Sequence, residues 1–356
     1  MCQKQGMFST ALLGWYDANA RTLPWRLPPN SVTRPDPYRV WLSEIMLQQT
    51  GVATVTRYFQ EFTRRWPTVE ALAAAPDEAI MAAWAGLGYY TRARNLITAA
   101  RMIAARGFPA DESGWRALPG VGPYTAAAIT AIAFGERCAA VDTNVERVAS
   151  RVLNLRTPLP AARAEIRAAL LPLVPANRPG DFTQALMDLG SAVCTPRRPG
   201  CSACPVRDYC ATADPVAAEA LPVKPPPKTR PARYGCVWWI ESGGDVALIR
   251  RPPRGLLGGM PGFPGSHWTE DPAHAPLPFA SDWRRTGEIS HIFTHFSLRL
   301  VIFAAELANQ FPVVAGEAID WTPRGALESA GLPTVYAKVA QLMLASADQP
   351  CFETLC

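Results

Sequence analysis

Cys194, Cys201, Cys204 and Cys210 are spaced C-x6-C-x2-C-x5-C, and no other feature of the 356-residue chain narrows its fold as much. A C-x2-C pair puts two thiolates on one side of a tight turn, and the outer two can close round the same centre to complete a four-sulfur shell. Zinc and a 4Fe-4S cluster both accept such a shell, although the uneven intervals differ from the paired C-x2-C repeats of zinc ribbons. Pro196, Arg197, Arg198, Pro199 and Gly200 make the segment a polar loop, which argues against four unrelated core thiols. The other five cysteines, Cys2, Cys138, Cys236, Cys351 and Cys356, show no regular pairing. A thiol-rich chain without a disulfide framework is expected in a reducing, cytoplasmic compartment. The N-terminal segment has neither a long apolar run nor an arginine-rich, acid-free stretch, and no run approaches the roughly 20 apolar residues that span a bilayer, so no membrane partner is expected.

From about Ser9 to Cys194 apolar residues recur at three- and four-residue spacing, broken at Pro and Gly. The pattern predicts helices over 38–49, 52–65, 77–83, 92–106, 123–134, 143–154 and 181–193. In 92–106, Ala93, Leu96, Ile97, Ala100, Ile103 and Ala104 form one face, and Arg92, Arg94, Arg101 and Arg106 are expected largely off it. A Pro-rich stretch then favours an extended linker over 221–233. Beyond it, runs rich in Val, Ile and aromatics predict strands over 234–240, 246–250 and 298–304 and a last helix over 335–345. Two domains are expected: an all-α metal-binding domain over 1–220 and a smaller α/β domain over 234–350. The charge is uneven, with 24 Lys and Arg against 18 Asp and Glu in residues 1–225 and 11 against 12 in the remainder. The basic part carries the cysteine loop, and arginine outnumbers lysine there, which suits bidentate phosphate contacts.

LPGVGPYTA at 118–126 reads as a turn between two helices. Gly120 and Gly122 are expected to supply backbone conformations closed to other residues, and Pro123 suits the first turn of the next helix. Backbone N–H groups at such a turn can hold a phosphate without reading its base. Asp142 follows twenty residues after Gly122 in AAVDTNVERV. On its own it would be an N-cap. Hairpin, aspartate and cysteine loop in this order resemble the helix-hairpin-helix DNA glycosylases of the endonuclease III superfamily. LPWR at 23–26, WLSEIMLQQT at 41–50 and GLGYYTRARNL at 86–96 extend the resemblance, in its MutY-type adenine glycosylase branch, over almost the whole first domain.

The resemblance implies a 4Fe-4S cluster on the four cysteines, duplex DNA as partner and a phosphate contact from Gly120, Val121 and Gly122. Adenine leaves the sugar readily only once its ring is protonated, so one carboxylic acid must deliver a proton while an ionised one faces the growing positive charge. By the resemblance these are Glu44 and Asp142, with Tyr124 and Asn144 orienting the carboxylates or the water. Bifunctional relatives place a Schiff-base lysine where this chain has Tyr124, so base removal without committed strand cleavage is expected. Extrusion of the nucleotide leaves a gap, beside which the resemblance puts Gln49 and Tyr89.

RRPPRGLLGGMPGFPG at 250–265 resembles a Nudix-like domain, but no G-x5-E-x7-R-E-x2-E-E segment for magnesium is present. The expected role is recognition. In the family this domain helps recognise 8-oxoguanine through a Phe-Ser-His loop, to which Phe293, Thr294 and His295 correspond. The expected whole is a monomeric, nucleoid-associated enzyme acting on A:8-oxoguanine or A:G mispairs.

Overall fold

The structure is a computed structural model, and it describes residues 2–225, 230–252, 255–273, 276–293 and 295–347. It divides into two compact units, residues 1–226 and 227–356. No helix among the described residues is long and apolar enough to cross a membrane.

The first unit is helical: α1 (Cys2–Asn19), α2 (Pro37–Leu47), α3 (Val52–Arg65), α4 (Val69–Ala74), α5 (Asp77–Trp84), α6 (Thr91–Arg106), α7 (Glu112–Arg116), α8 (Pro123–Phe134), α9 (Thr143–Val152), α10 (Ala162–Leu170), α11 (Pro179–Ala192) and α12 (Pro215–Glu219). Two apolar cores lie within it. One gathers Trp41, Phe59, Phe62, Trp84 and Trp115 with α6, the other Leu12, Tyr16, Val145, Ile166 and Phe182. Helix α8 belongs to both, giving Ala126, Ile129 and Ala133 to the first and Ala127 and Ala128 to the second. Its sequence, PYTAAAITAIAF, is apolar on every side, the pattern of a helix enclosed all round, and its alanines let α2 and α11 pack against it. Each lobe thereby meets the head of α8.

Two expectations need correction here. Arg92 lies on the buried side of α6, 8% exposed. The segment expected to begin the linker is packed on the first unit: Leu221 is buried, and the Val223 carbonyl accepts a hydrogen bond from Leu159 N.

The second unit is a mixed sheet of β1 (Ala232–Ser242), β2 (Asp245–Arg250), β3 (Pro261–Gly262), β4 (Arg284–Ile292), β5 (Ser297–Glu306), β6 (Val313–Val314) and β7 (Glu317–Pro323), followed by α13 (Thr334–Ala347). The order is β4-β5-β1-β2-β7-β6, with β3 on β2; β1 and β5 run parallel and the other pairs antiparallel. Strand β1 alternates as a two-sided strand must: Val237 and Trp239 join the core that includes Val335 and Val339 of α13, and Cys236, Trp238 and Ile240 join Ala247 and Val314 in another.

Candidate active site

A cavity of about 650 Å³ opens at the head of α8, and Glu44, Tyr124, Asp142 and Asn144 all line it. Glu44 comes from α2, whose start is fixed by Asp36 accepting from Tyr38 N at 2.9 Å. It is 7% exposed. Burial pushes its carboxyl up to about 7; a hydrogen bond from Tyr124 and the charge of Arg26 pull it down, and the charge of Asp142 pushes it further up. A carboxyl near 7 can hold a proton at neutral pH and release it to a base. Burial, with the charges of Glu44 and Asp142, keeps Tyr124 a neutral phenol far above its ordinary range.

Asp142 caps α9 from the second lobe. Its Oδ1 accepts from Val145 N at 2.7 Å and its Oδ2 from Asn144 Nδ2 at 2.9 Å. The N-cap and the cavity-lining carboxylate are thus one residue, and the cap fixes its rotamer. Asn144 is itself held, its Oδ1 accepting from Arg147 Nη2 at 2.9 Å. The same guanidinium donates to the carbonyls of Gly190 and Cys194, at 2.6 and 2.7 Å. Gly190 lets α11 close on α9 here, since a Cβ on it would stand 2.7 Å from Asn144 Cβ.

Several cavity residues escaped the reading of the sequence: Trp25, Arg26, Gln48, Gln184 and Met187. Buried Asp188 anchors Arg26, accepting from its Nη1 at 2.7 Å and from Arg21 Nε at 2.6 Å. LPWR carried the only signal for Arg26; Asp188 looked like any helical aspartate. Gln48 donates to the Gly120 carbonyl at 3.2 Å, tying the end of α2 to the hairpin.

In the hairpin only Gly120 has a left-handed backbone, φ 78°. Gly122 has φ −87° and ψ 176°, an extended conformation open to any residue, which corrects the expectation; nothing lies within 4 Å of a Cβ added there. Val121 buries its side chain, and its N–H donates to the Leu118 carbonyl at 3.2 Å, closing the turn.

Gln49 lines the same cavity and Tyr89 does not; both are exposed and both left-handed, with φ 60° and 50°. For residues with a Cβ this is uncommon backbone, held only where the surroundings over-determine it. Arg92 does so, donating to the carbonyls of Ile45, Met46, Leu87 and Gly88 and to the Thr50 hydroxyl. One buried guanidinium therefore links the turn bearing Gln49 to the turn bearing Tyr89.

The four cysteines fit a cluster. Together they line a single cavity that follows α11, with short 3₁₀ turns at Cys201–Ala203 and Arg207–Tyr209. Burial pushes the Cys201, Cys204 and Cys210 thiols up, Cys204 to about 11, so a cationic centre is needed to hold them as thiolates. Arg151 Nη1 lies 3.3 Å from Cys194 Sγ, an N–H donor aimed at a ligand sulfur.

In the second unit Phe293 is packed rather than free. Its ring lies 4.8 Å from that of Phe296 and 5.7 Å from that of Trp268. His295 is exposed, and so is Ile292, at 67%. Thr294 lies outside the described residues.

Comparison with known proteins agrees with this geometry. Residues 42–173 match the HhH-GPD superfamily of base excision DNA repair proteins, residues 194–210 the iron-sulfur binding domain of endonuclease III, and residues 236–342 the NUDIX domain. The chain therefore carries an iron-sulfur loop and a Nudix-like domain. Among solved structures, a thermostable thymine-DNA glycosylase is 29% identical with a TM-score of 0.52, over 59% of this chain and 97% of that one. The adenine DNA glycosylase of Mycobacterium tuberculosis (strain ATCC 25618 / H37Rv) is 41% identical over 57% of this chain and 66% of its own. That of Mus musculus is 33% identical over 94% and 77%, and that of Homo sapiens 34% identical over 93% and 73%. With relatedness along nearly its full length and the acid, aspartate and cysteine loop in place, the chain belongs to the adenine DNA glycosylase family.

Proposed function

We propose that this DNA glycosylase removes adenine from duplex DNA where it lies opposite 8-oxoguanine or guanine, and does so without cutting the strand. The observation that carries the reading is Glu44, a buried carboxyl near pH 7, lining one cavity with the capped carboxylate of Asp142. Glu44 delivers its proton to the adenine ring, N7 being the site of choice, as the glycosidic bond lengthens. Asp142 faces the positive charge that grows on the sugar. Asn144 holds that carboxylate in place, and Tyr124 keeps the Glu44 proton oriented. Tyr124 is no amine nucleophile, so no Schiff base forms at this position and the product is an abasic site.

The DNA is gripped at its backbone by the hairpin turn of Gly120, Val121 and Gly122, and Gln49 and Tyr89 fill the space left by the extruded nucleotide. Cys194, Cys201, Cys204 and Cys210 would hold the iron-sulfur cluster, which supplies a rigid cross-link for the arginine-bearing loop around them. The second unit reads the opposing base through the loop at Phe293, Thr294 and His295, with exposed His295 as the polar contact.

The test is incubation with duplexes carrying A opposite 8-oxoguanine, A opposite guanine and A opposite thymine, with and without alkali. Strand breaks on the first two, appearing only after alkali, are expected. Release of no adenine, or breaks without alkali, would overturn the reading.

A further inference from the structure

Arg151 on α9 is 1% exposed, and none of the ion pairs among the described residues includes it. A cation taken out of water calls for an anion beside it, and carbonyl dipoles offset only part of its charge. The anion within reach is the cysteine site. Arg151 lines that cavity with its Nη1 3.3 Å from Cys194 Sγ, and four thiolates round an iron-sulfur core carry a net negative charge. We propose that Arg151 is a clasp, through which the bound cluster holds the start of the chain that leads to the second unit.

The one guanidinium ties two stretches of backbone together. Its Nη1 and Nη2 donate to the carbonyls of Thr195 and Pro196 in the cysteine loop, at 2.7 and 3.2 Å. Its Nε donates to the carbonyls of Ala218 and Leu221, at 2.7 and 3.2 Å. Ala218 lies in α12 and lines the cysteine cavity, and both it and Leu221 are buried. Glu219 adds a second tie to the loop, its Oε1 accepting from Arg198 N at 2.5 Å. Helix α12 has five residues, too few to stand without partners. Arg147, one turn earlier on α9, takes the Cys194 carbonyl and reaches Asn144. Arg151 takes the Cys194 sulfur and reaches α12. Helix α9 therefore sends one buried arginine towards the active site and another towards the interdomain chain.

With the clasp closed, the chain is held as far as Val223, and residues 224–231 separate it from β1. With the clasp open, α12 and the residues after it come free, and the tether begins at about residue 214. That more than doubles its length and lowers the effective concentration of the second unit at the first by roughly threefold. Arg151 is thus a positioning residue for lesion reading, a consequence that rests on the role of the second unit given above.

Hydrogen exchange and protein-film voltammetry of the full-length holoprotein test the proposal without DNA. The amides of Ala217, Ala218 and Leu221 are bonded at 2.8, 2.9 and 3.0 Å, so they report on α12 and its exit. In Arg151→Met they should exchange about tenfold faster or more, the effect of losing charged hydrogen bonds. The midpoint potential of the cluster should fall as well, because a cation beside a ligand sulfur favours the more negative state. Arg151→Lys keeps the charge and should restore most of the potential. Unchanged exchange in Arg151→Met would sink the clasp, and so would a loosened segment with an unchanged potential. If Arg151→Met fails to retain iron, Leu221→Ala decides, since coupling is reciprocal: it leaves every group at the cysteines in place, and its cluster should lose iron to EDTA faster than the parent's. Equal loss would overturn the proposal. Single-turnover rates opposite 8-oxoguanine and guanine then separate the two readings. A ratio lowered by about two- to threefold in the loosened variants is expected; an unchanged ratio beside faster exchange would leave the clasp standing and count against the second unit as reader.

Discussion

At Glu44 folding and chemistry pull in opposite directions. A carboxyl raised from an ordinary 4.5 to about 7 binds its proton more tightly folded than unfolded. Its favourable contribution is therefore complete below pH 4.5 and is lost as the pH climbs through 7, a difference of roughly 3 kcal/mol. Glu44→Gln should slow single-turnover excision by about 10²- to 10⁴-fold. The same variant should melt at a higher temperature than the parent at pH 8 and at an equal one at pH 4. Equal melting at both would show that Glu44 is not buried as described. Excision by the parent should itself decline above pH 7 as the acid loses its proton. WLSEIMLQQT pointed to Glu44 through resemblance alone; its burial depends on what Tyr124 and Asp142, 80 and 98 positions later, bring to the same cavity, and no local pattern encodes that.

Helices meet the site through contacts that composition does not announce. Gly190 on α11 is a helical glycine with an ordinary backbone, there because Asn144 on α9 leaves no room for a methyl. Gly190→Ala should displace Asn144 and with it the Asp142 carboxylate, lowering kcat by about a hundredfold while mismatch affinity stays near the parent's, as measured by single-turnover kinetics and DNA titration. Arg92 is a harsher case. Five hydrogen-bond acceptors on two turns depend on its guanidinium, whose burial holds it down to about 10. Arg92→Met should cost about 3 kcal/mol or more in urea unfolding, because those buried carbonyls lose their donor. Helical periodicity placed α3 and α8 at their observed bounds, Val52–Arg65 and Pro123–Phe134, since apolar spacing and Pro are local signals. It failed for Arg92 because a charged residue counts as surface until its partners are known. The short helices α4, α7 and α10 and the strands β4 and β7 went unread for a related reason: their pattern is too brief, or too polar, to stand above a loop.

For the molecule as a whole, division of labour is the testable claim. Ending the chain after residue 226, beyond the packed Leu221 and Val223, should retain adenine removal but bring the excision rates opposite 8-oxoguanine and guanine close together. His295→Ala, a change at an exposed position, should move the same ratio in the same direction without altering the melting temperature. An unchanged ratio in both would return lesion reading to Gln49 and Tyr89. The two-domain plan was legible because a Pro-rich stretch and the switch from three-four to twofold periodicity are properties of the chain itself. The boundary was not, since Leu221 is held by a packing partner rather than by its own sequence. Enclosure of α8 by both lobes has one further consequence, in time rather than in space. Its residues 126–131 are buried, so their amides should exchange hydrogen for deuterium only when the whole unit opens, and be among the slowest of the described residues. Tyr124 rides on its first turn. The proposed acid Glu44 and its partner Asp142, packed beside it, should thus keep their geometry through partial opening of the surface loops, and activity should vanish in the same transition as α8 protection, never before it.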